Sequence, residues 1–370
     1  MKRQIILATL LISIFSSAKA QTDSFSQKEE FITIIENPTT SVKDQGGPVC
    51  WSYATCSFIE SELLRMKKGA YDLSEDFFVY YAYIDKAHNY VLRKGNTSFG
   101  PGGLTHDVLR IIKEKGIIPQ QYFKVDSIQN DRELERVLRN YLKTILEDDY
   151  PTENWMKHYC ALLDSYYNSL PNQFDIKGQT YTPTSFAKFL EINPDDYVSL
   201  TSYTHHFFYT NFALEVRDNY ASGMYFNVPL NEFIQTIDSS LVHGYTLVWD
   251  GDMSETFSYK RNGLALLPII RNEGIKTLNT NTPELNVDQR IRQLSFERLF
   301  TTDNHLMHII GIAKNGEGKK LYIVKNSYGT KDGPYNGYIY MSEAYLKMQT
   351  VSIVLNKNAL PKEIRKRIDK

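Results

Sequence analysis

The chain is poor in cysteine: Cys50, Cys56 and Cys160 are the only three in 370 residues. Three are too few for a disulfide framework, and the odd number leaves at least one thiol free. Net charge is also missing, with 42 Lys and Arg against 43 Asp and Glu, so no excess of one sign draws the chain to nucleic acid or to a membrane surface. Beyond the first twenty residues no apolar stretch is long enough to cross a bilayer. Internal repeats and low-complexity linkers are absent, and the basic stretch Lys362 to Lys370 is short and broken by acids, which reads as a solvated helix end. These absences set the expectation of a protein with no nucleic-acid and no membrane partner. The remaining composition, 42% hydrophobic and 13% aromatic, suffices for one large or two intimate domains with a sizeable core.

The first twenty residues obey a different rule. Lys2 and Arg3 precede an apolar run from Ile5 to Phe15 and a small-residue site, Ala18-Lys19-Ala20. That order is the order of a secretory signal peptide, and the run is too short for a stable membrane span. Residues 1–20 are therefore expected to be cleaved near Ala20, giving an exported, periplasmic or extracellular protein. No cysteine stands at the junction to carry a lipid anchor.

Periodicity divides the rest of the chain. Apolar and polar residues mix at helical spacing from Trp51 to Met66, ending in Lys67-Lys68-Gly69. A second helix runs from Ser74, its N-cap, through Phe77, Tyr80, Tyr81 and Ile84, and a third from about Leu104 to Lys115, stopped by Gly116. The pattern is again helical from Asp131 to Ser169, turn-rich to about residue 220, and strand-like from about Tyr245. The spacing predicts an α+β fold, with a helical lobe over 21–130, a helical and mixed insertion over 131–240 and a β-rich lobe over 241–370.

Cys50 begins the first helix. The first turn of a helix presents unpaired N–H groups and the positive end of the dipole, which favour thiolate over thiol and make Cys50 the candidate nucleophile. Cys56, six positions on, is off its face and out of bridging reach; whether it pairs with Cys160 is left open. In the last third, Leu306 to Ala313 and Lys320 to Asn326 read as strands, with Asn315-Gly316 as a two-residue hairpin turn. That turn sets Lys314 opposite Glu317 and His305 opposite Asn326 on one face, while His308, opposite Ile323, has the wrong parity to share it. A thiolate, an imidazole to carry its proton and an amide to orient that imidazole form a set for acyl transfer. Gln45, just upstream of Cys50, supplies a side-chain amide for an oxyanion hole together with the Cys50 N–H.

These residues resemble the pattern of papain-clan cysteine peptidases, and within the clan the bleomycin hydrolase and aminopeptidase C family. That pattern is a Gln, then Cys-Trp-Ser/Ala-Phe, a His six residues before a Gly, and Asn-Ser-Trp-Gly. Gln45, Cys50-Trp51-Ser52-Tyr53, His305 with Gly311, and Asn326-Ser327-Tyr328-Gly329 fall on it. Further segments resemble the family in the same order: Leu73-Ser74-Glu75, the loop Gly100 to Gly103, Asp195 to Leu200, Phe226-Asn227-Val228-Pro229 and Val248-Trp249. The resemblance implies a two-lobed papain-like fold and a thiol peptidase acting on peptide substrates, most of all as an aminopeptidase. It also implies that Gly102 and Gly103 bond the substrate backbone. Homo-oligomers occur among such relatives and are one expectation here. No cofactor and no metal are expected, Asp250 and Asp252 being read as a turn rather than as ligands.

Three departures from the family pattern stand out. Gln45 precedes Cys50 by five residues where the clan has six, and Tyr328 replaces the tryptophan that shields the His and Asn pair. Bleomycin hydrolase relatives carry a tail that lies in the cleft and admits only a free amino end, whereas this sequence stops at Lys370. The alternatives are therefore a papain-like endopeptidase, or a catalytically impaired peptide-binding relative.

Overall fold

The computed structural model describes residues 28–125, 131–147, 151–167, 169–254, 263–269 and 279–369, and the expected leader lies outside them. After strand β1 (Ile32–Glu36) come five helices: α1 (Cys50–Arg65), α2 (Glu75–Leu92), α3 (Thr105–Lys115), α4 (Asp131–Glu147) and α5 (Trp155–Tyr167). A small hairpin of β2 (Phe174–Ile176) and β3 (Gln179–Tyr181) leads to α6 (Pro183–Leu190). Strands β4 (Tyr197–Thr201), β5 (Asn211–Ala213) and β6 (Met224–Asn227) precede α7 (Leu230–Val242), β7 (Leu247–Gly251), β8 (Leu264–Ala265) and α8 (Gln289–Glu297). The chain then runs through β9 (His305–Lys314), β10 (Lys320–Lys325), β11 (Tyr338–Ser342), α9 (Glu343–Gln349), β12 (Thr350–Asn356) and α10 (Lys362–Ile368).

The local signals act as their chemistry requires. Cys50 is the first residue of α1. Ser74 caps α2 by accepting the Phe77 N–H at 3.2 Å, which satisfies one of the orphan donors of the first turn. Gly116 ends α3 at φ 93°, and a side chain there would collide with the Pro183 backbone, 2.2 Å from the position of a Cβ.

Ten strands form one sheet in the order β5-β6-β4-β12-β7-β9-β10-β11-β8, with β1 added on β9. Its two faces carry separate cores. Val248, Leu306 and Val354 pack with the helices α1 to α6, while Leu247, Trp249, Met307, Ile309, Ile353 and Leu355 pack beneath α7 and α9. Helix against sheet on both faces makes this a mixed α+β fold. Of the stretch expected as an insertion, 131–240, α4 to α6 join the helical layer, but β4 to β6 extend the main sheet and α7 covers its far face. Strands of three to five residues separated by turns carry too little alternation to be read from sequence.

The β9–β10 hairpin differs from the two-residue turn expected. Lys314 pairs with Lys320, not with Glu317. Asn315 Oδ1 accepts the N–H groups of Glu317 at 3.1 Å and Lys319 at 2.8 Å, so the side chain satisfies a longer loop that Gly318, at φ 86°, closes. A bulge between Ile323 and Val324 then takes back one residue, and Lys325 faces His308. The net offset past the bulge is even, so Asn326 keeps the face expected for it although its partner position moves from His305 to Met307.

The segment leading into α1 is anchored by charge. Lys43 Nζ lies 3.0 Å from Glu60, 2.5 Å from Asp72 and 2.6 Å from Glu75, and also donates to the Leu73 carbonyl at 3.1 Å. Glu60 and Glu75 are buried, so removing the lysine strands two carboxyls. Lys43→Ala is expected to cost about 3–5 kcal/mol of stability, read from urea unfolding; an unchanged midpoint would show that both carboxyls are neutral without it.

Candidate active site

The N-terminus of α1 opens into a cleft of about 350 Å³, whose lining includes Gln45, Cys50, Gly102, Gly103, His305 and Tyr328. Of the six residues singled out in the sequence, five line this cleft. The sixth, Asn326, is buried and bonded to His305: the Nε2 to Oδ1 distance is 2.8 Å. Asn326 Oδ1 also accepts the Ser327 N–H at 2.9 Å. An oxygen that accepts a backbone N–H has to be the amide oxygen, so His305 Nε2 is the donor of the pair and Nδ1 is the nitrogen that can take a proton. Tyr328 stacks on the imidazole, with ring centroids 5.3 Å apart and planes 11° from parallel. The tyrosine thus provides the cover of the usual tryptophan while staying 37% exposed.

Gln45 reaches the same place by backbone pairing. Its N–H donates to the Ser327 carbonyl at 2.8 Å, Gly329 N–H donates to Lys43 at 2.9 Å, and Asp44 bridges Tyr328. Gln45 Nε2 donates to the Gly47 carbonyl at 2.7 Å, and because a carbonyl only accepts, that bond fixes the amide's orientation; Oε1 then accepts from Ser327 Oγ at 2.6 Å. The shortened loop through Gly46-Gly47-Pro48 therefore keeps the Gln45 amide in the cleft wall. His308 belongs elsewhere. Its Nδ1 lies 2.8 Å from Ser57 Oγ of α1, it is fully buried, and burial with the nearby Lys325 charge holds it neutral.

The Gly100 to Gly103 loop forms the opposite wall. Trp51 Nε1 donates to the Pro101 carbonyl at 2.9 Å, and a Cβ on Gly103 would stand 2.9 Å from the Trp51 ring. Lys86 Nζ, buried beneath, donates to the carbonyls of Gly100 and Gly102. The open face of Gly102 is filled by Asp218, whose Oδ2 is 2.0 Å from the position of a Cβ. Packing against the Trp51 ring thus leaves no room for a side chain at Gly103, whereas at Gly102 one would have to displace the Asp218 carboxyl.

Three acids were not singled out as site residues. Asp218 and Asp303 line the cleft; Asp218 lay in a stretch with no periodicity, and Asp303 sits two residues before His305. The Val248 to Asp252 segment is not the turn expected but the end of a central strand, and Asp250 there is 2% exposed, beside Leu306 across the β7–β9 ladder. Asp252 clamps the approach to His305, accepting from Thr302 N–H at 2.9 Å, Thr302 Oγ1 at 2.7 Å and Asn304 Nδ2 at 2.9 Å. Burial, and after it the fields of Asp218 and Asp250, push the Cys50 thiol up to about 12, against the pull of the Leu306 and Trp51 backbone N–H groups. The helix N-terminus expected to depress the thiol is present, but burial and the carboxyls outweigh it.

Among the described residues, one group could bring metal ligands together: His205, His206 and Glu215, with ligand atoms within 4.8 Å of one another. Gln293 Oε1 accepts the Thr204 N–H at 2.6 Å, so its Nε2 donates to His205 Nδ1 at 2.9 Å. The neutral ring then carries its proton on Nε2, facing Glu215 at 3.2 Å. In that tautomer the His205 Nδ1 lone pair is taken up by Gln293, and Glu215 lies within hydrogen-bond distance of both imidazoles.

A cleft between a helical layer and a sheet, with a cysteine at a helix start and a His–Asn pair on the sheet, defines a papain-like cysteine peptidase. The Peptidase C1-like family matches residues 163–370, and the chain belongs to that family. Its relatives include aminopeptidase G of Lactobacillus delbrueckii subsp. lactis, 22% identical over 89% of this chain and 83% of the relative. Cysteine proteinase 1, mitochondrial, of Saccharomyces cerevisiae is 24% identical over 90% of this chain and 78% of the relative. The crystal structure of PepW from Lactobacillus rhamnosis superposes with a TM-score of 0.72 at 20% identity, covering 91% of this chain and 84% of that one.

Because Asp218 raises the Cys50 thiol, Asp218→Asn should lower it and speed alkylation of Cys50 by iodoacetamide at pH 7. Half a unit corresponds to about a threefold gain in thiolate at fixed pH. Equal or slower labelling, tracked by mass spectrometry of the Cys50 peptide, would show that the carboxyl does not reach the thiol.

Proposed function

We propose that this protein is an exported cysteine aminopeptidase, and that Cys50, His305, Asn326 and Gln45 carry its chemistry. The observation that carries the reading is the His305–Asn326 bond with Nε2 as its donor, in a cleft that Cys50 and Gln45 also line. In the proposed reaction Cys50 Sγ attacks the carbonyl carbon of the first peptide bond while His305 Nδ1 accepts the thiol proton. His305 then delivers that proton to the leaving amine, and water, deprotonated by the same nitrogen, releases the acyl group from sulfur. Asn326 orients the imidazole and stabilises its charged form. The Cys50 N–H and Gln45 Nε2 stabilise the oxyanion.

The aminopeptidase assignment draws on relatives named aminopeptidase G, aminopeptidase C and aminopeptidase W. Export draws on the leader pattern from Lys2 to Ala20. Gly102 and Gly103 are proposed to border the bound peptide backbone, with packing against Trp51 as a sufficient reason for the size of Gly103 alone.

The reading is tested by mapping products from a mixed peptide library incubated with residues 21–370 and, in parallel, with Cys50→Ala. Stepwise loss of N-terminal residues by the unmodified protein alone is expected. Internal cuts would replace the aminopeptidase by an endopeptidase, and no Cys50-dependent cleavage would overturn the catalytic reading. His305→Ala should lower kcat by roughly a thousandfold or more, and Gln45→Ala by roughly a hundredfold. Loss of activity in His308→Ala with His305→Ala still active would reverse the assignment of the base.

A further inference from the structure

The loop from Phe99 to Gly103 has no disulfide to hold it, since all three cysteines are free. Side chains hold it instead, one carbonyl at a time. Arg139 of α4 donates to the Phe99 carbonyl, Lys86 of α2 to the Gly100 carbonyl at 2.6 Å, Trp51 of α1 to the Pro101 carbonyl at 2.9 Å, and Lys86 again to the Gly102 carbonyl. Four successive carbonyls thus end on donors from three helices, and Lys86 alone takes two of them.

Lys86 is 3% exposed, and its ammonium is surrounded by rings. The centroids of Tyr220, Tyr83 and Trp51 lie 4.9, 5.8 and 6.0 Å from Nζ. Burying an ammonium is costly unless its N–H groups are matched. Here the matching acceptors are the loop carbonyls, with cation–π attraction from the ring faces. Among the described residues no carboxylate makes an ion pair with it; Asp107 on α3, Asp218 on the loop between β5 and β6, Glu135 on α4 and Asp85 on α2 itself act through space. Trp51 follows the nucleophile directly in the chain, and a Cβ on Gly103 would stand 2.9 Å from its ring. Loop, Trp51 and Lys86 are therefore one packed unit, and that unit sets how far the loop stands from Cys50.

We propose that Lys86 is a positioning residue of the cleft: by donating to the Gly100 and Gly102 carbonyls it clasps the loop where Gly102 and Gly103 border a bound peptide, and loss of its charge opens the clasp. The proposal rests on the reading above that these glycines border the peptide. Burial lowers the Lys86 ammonium to about 8, against the upward pull of the four carboxyls. The clasp is thus charged and closed below that pH and loses its charge as pH rises through it, whereas an exposed lysine stays charged to about pH 10.4.

Hydrogen exchange reads the clasp without a substrate. Corrected for the intrinsic pH dependence of exchange, the amides of residues 99–104 in the unmodified protein should lose roughly tenfold in protection between about pH 7 and pH 9. Lys86→Met keeps an apolar stem and removes the donors, so its loop should be equally unprotected at both values. Lys86→Arg stays charged at about pH 9, so its loop should show no pH dependence, and the unmodified chain and this variant decide the clasp even where Lys86→Met does not fold. Peptide binding reads the consequence. In the Cys50→Ala background, retention of the mixed peptide library in equilibrium dialysis should fall by roughly tenfold at about pH 7 when Lys86→Met is added, and the two proteins should converge at about pH 9. The amino groups of the peptides titrate equally in both and cancel from that ratio. In the Cys50 protein the same substitution should appear in KM more than in kcat.

Loop exchange that ignores pH in the unmodified protein, or that keeps its pH dependence in Lys86→Arg, would overturn the clasp. Exchange that rises while peptide retention stays within about twofold would overturn the positioning role, because the loop would then move without effect on the peptide. Retention that depends on Lys86 without any hydrolysis by the Cys50 protein would remove the peptidase reading and leave the clasp standing.

Discussion

The packing of α1 on β9 is the constraint on which the site depends. Cys50 is the first residue of the helix and His305 the first of the strand, so the relative placement of thiol and imidazole is the relative placement of two rigid elements. Leu306 and His308 face the helix from the strand, and the His308–Ser57 bond crosses the interface where both groups are buried. His308 Nε2 is buried with no hydrogen-bond partner, so without that hydroxyl both ring nitrogens would be unpaired in the layer. His308 is thus a structural histidine that makes the other histidine's position reproducible. The Lys43 cluster adds the third element, fixing the strand-like segment 43–45 on α1 and α2 just before it pairs with Ser327 and Gly329.

In this chain the spacing of His305 and Gly311 has a packing reason. Gly311 lies where β1 crosses β9, and a Cβ there would sit 2.1 Å from the Ile35 carbonyl oxygen. Six residues after His305 is the point along β9 at which the β1 backbone leaves no room for a side chain. Gly103 against the Trp51 ring obeys the same rule on the other wall.

Parity, capping and helix periodicity were legible in the sequence because each depends on neighbours within a few residues. The Ser74 cap, the Gly116 stop and the start of α1 at Cys50 belong to that group. Register was not legible, because Asn315 can close a loop longer than the turn its Asn-Gly pair suggests, and the later bulge leaves no mark in composition. The pairing of His305 with Asn326 survived this error only because the two irregularities sum to an even offset. The convergence of three acids near Cys50 was illegible for a different reason. Asp218, Asp250 and Asp303 come from a loop, a central strand and the approach to β9, and only the closed sheet brings them together. Asp250 in particular comes after Val248-Trp249 in a run that reads equally as a strand end or a turn.

Those carboxyls bear on the nucleophile. Burial first, and after it the Asp218 and Asp250 carboxyls, push the Cys50 thiol up, the opposite of what a helix N-terminus alone would favour. In the proposed reaction the thiol therefore meets the substrate protonated, and its proton leaves through His305 Nδ1, the ring nitrogen that the Asn326 bond does not engage.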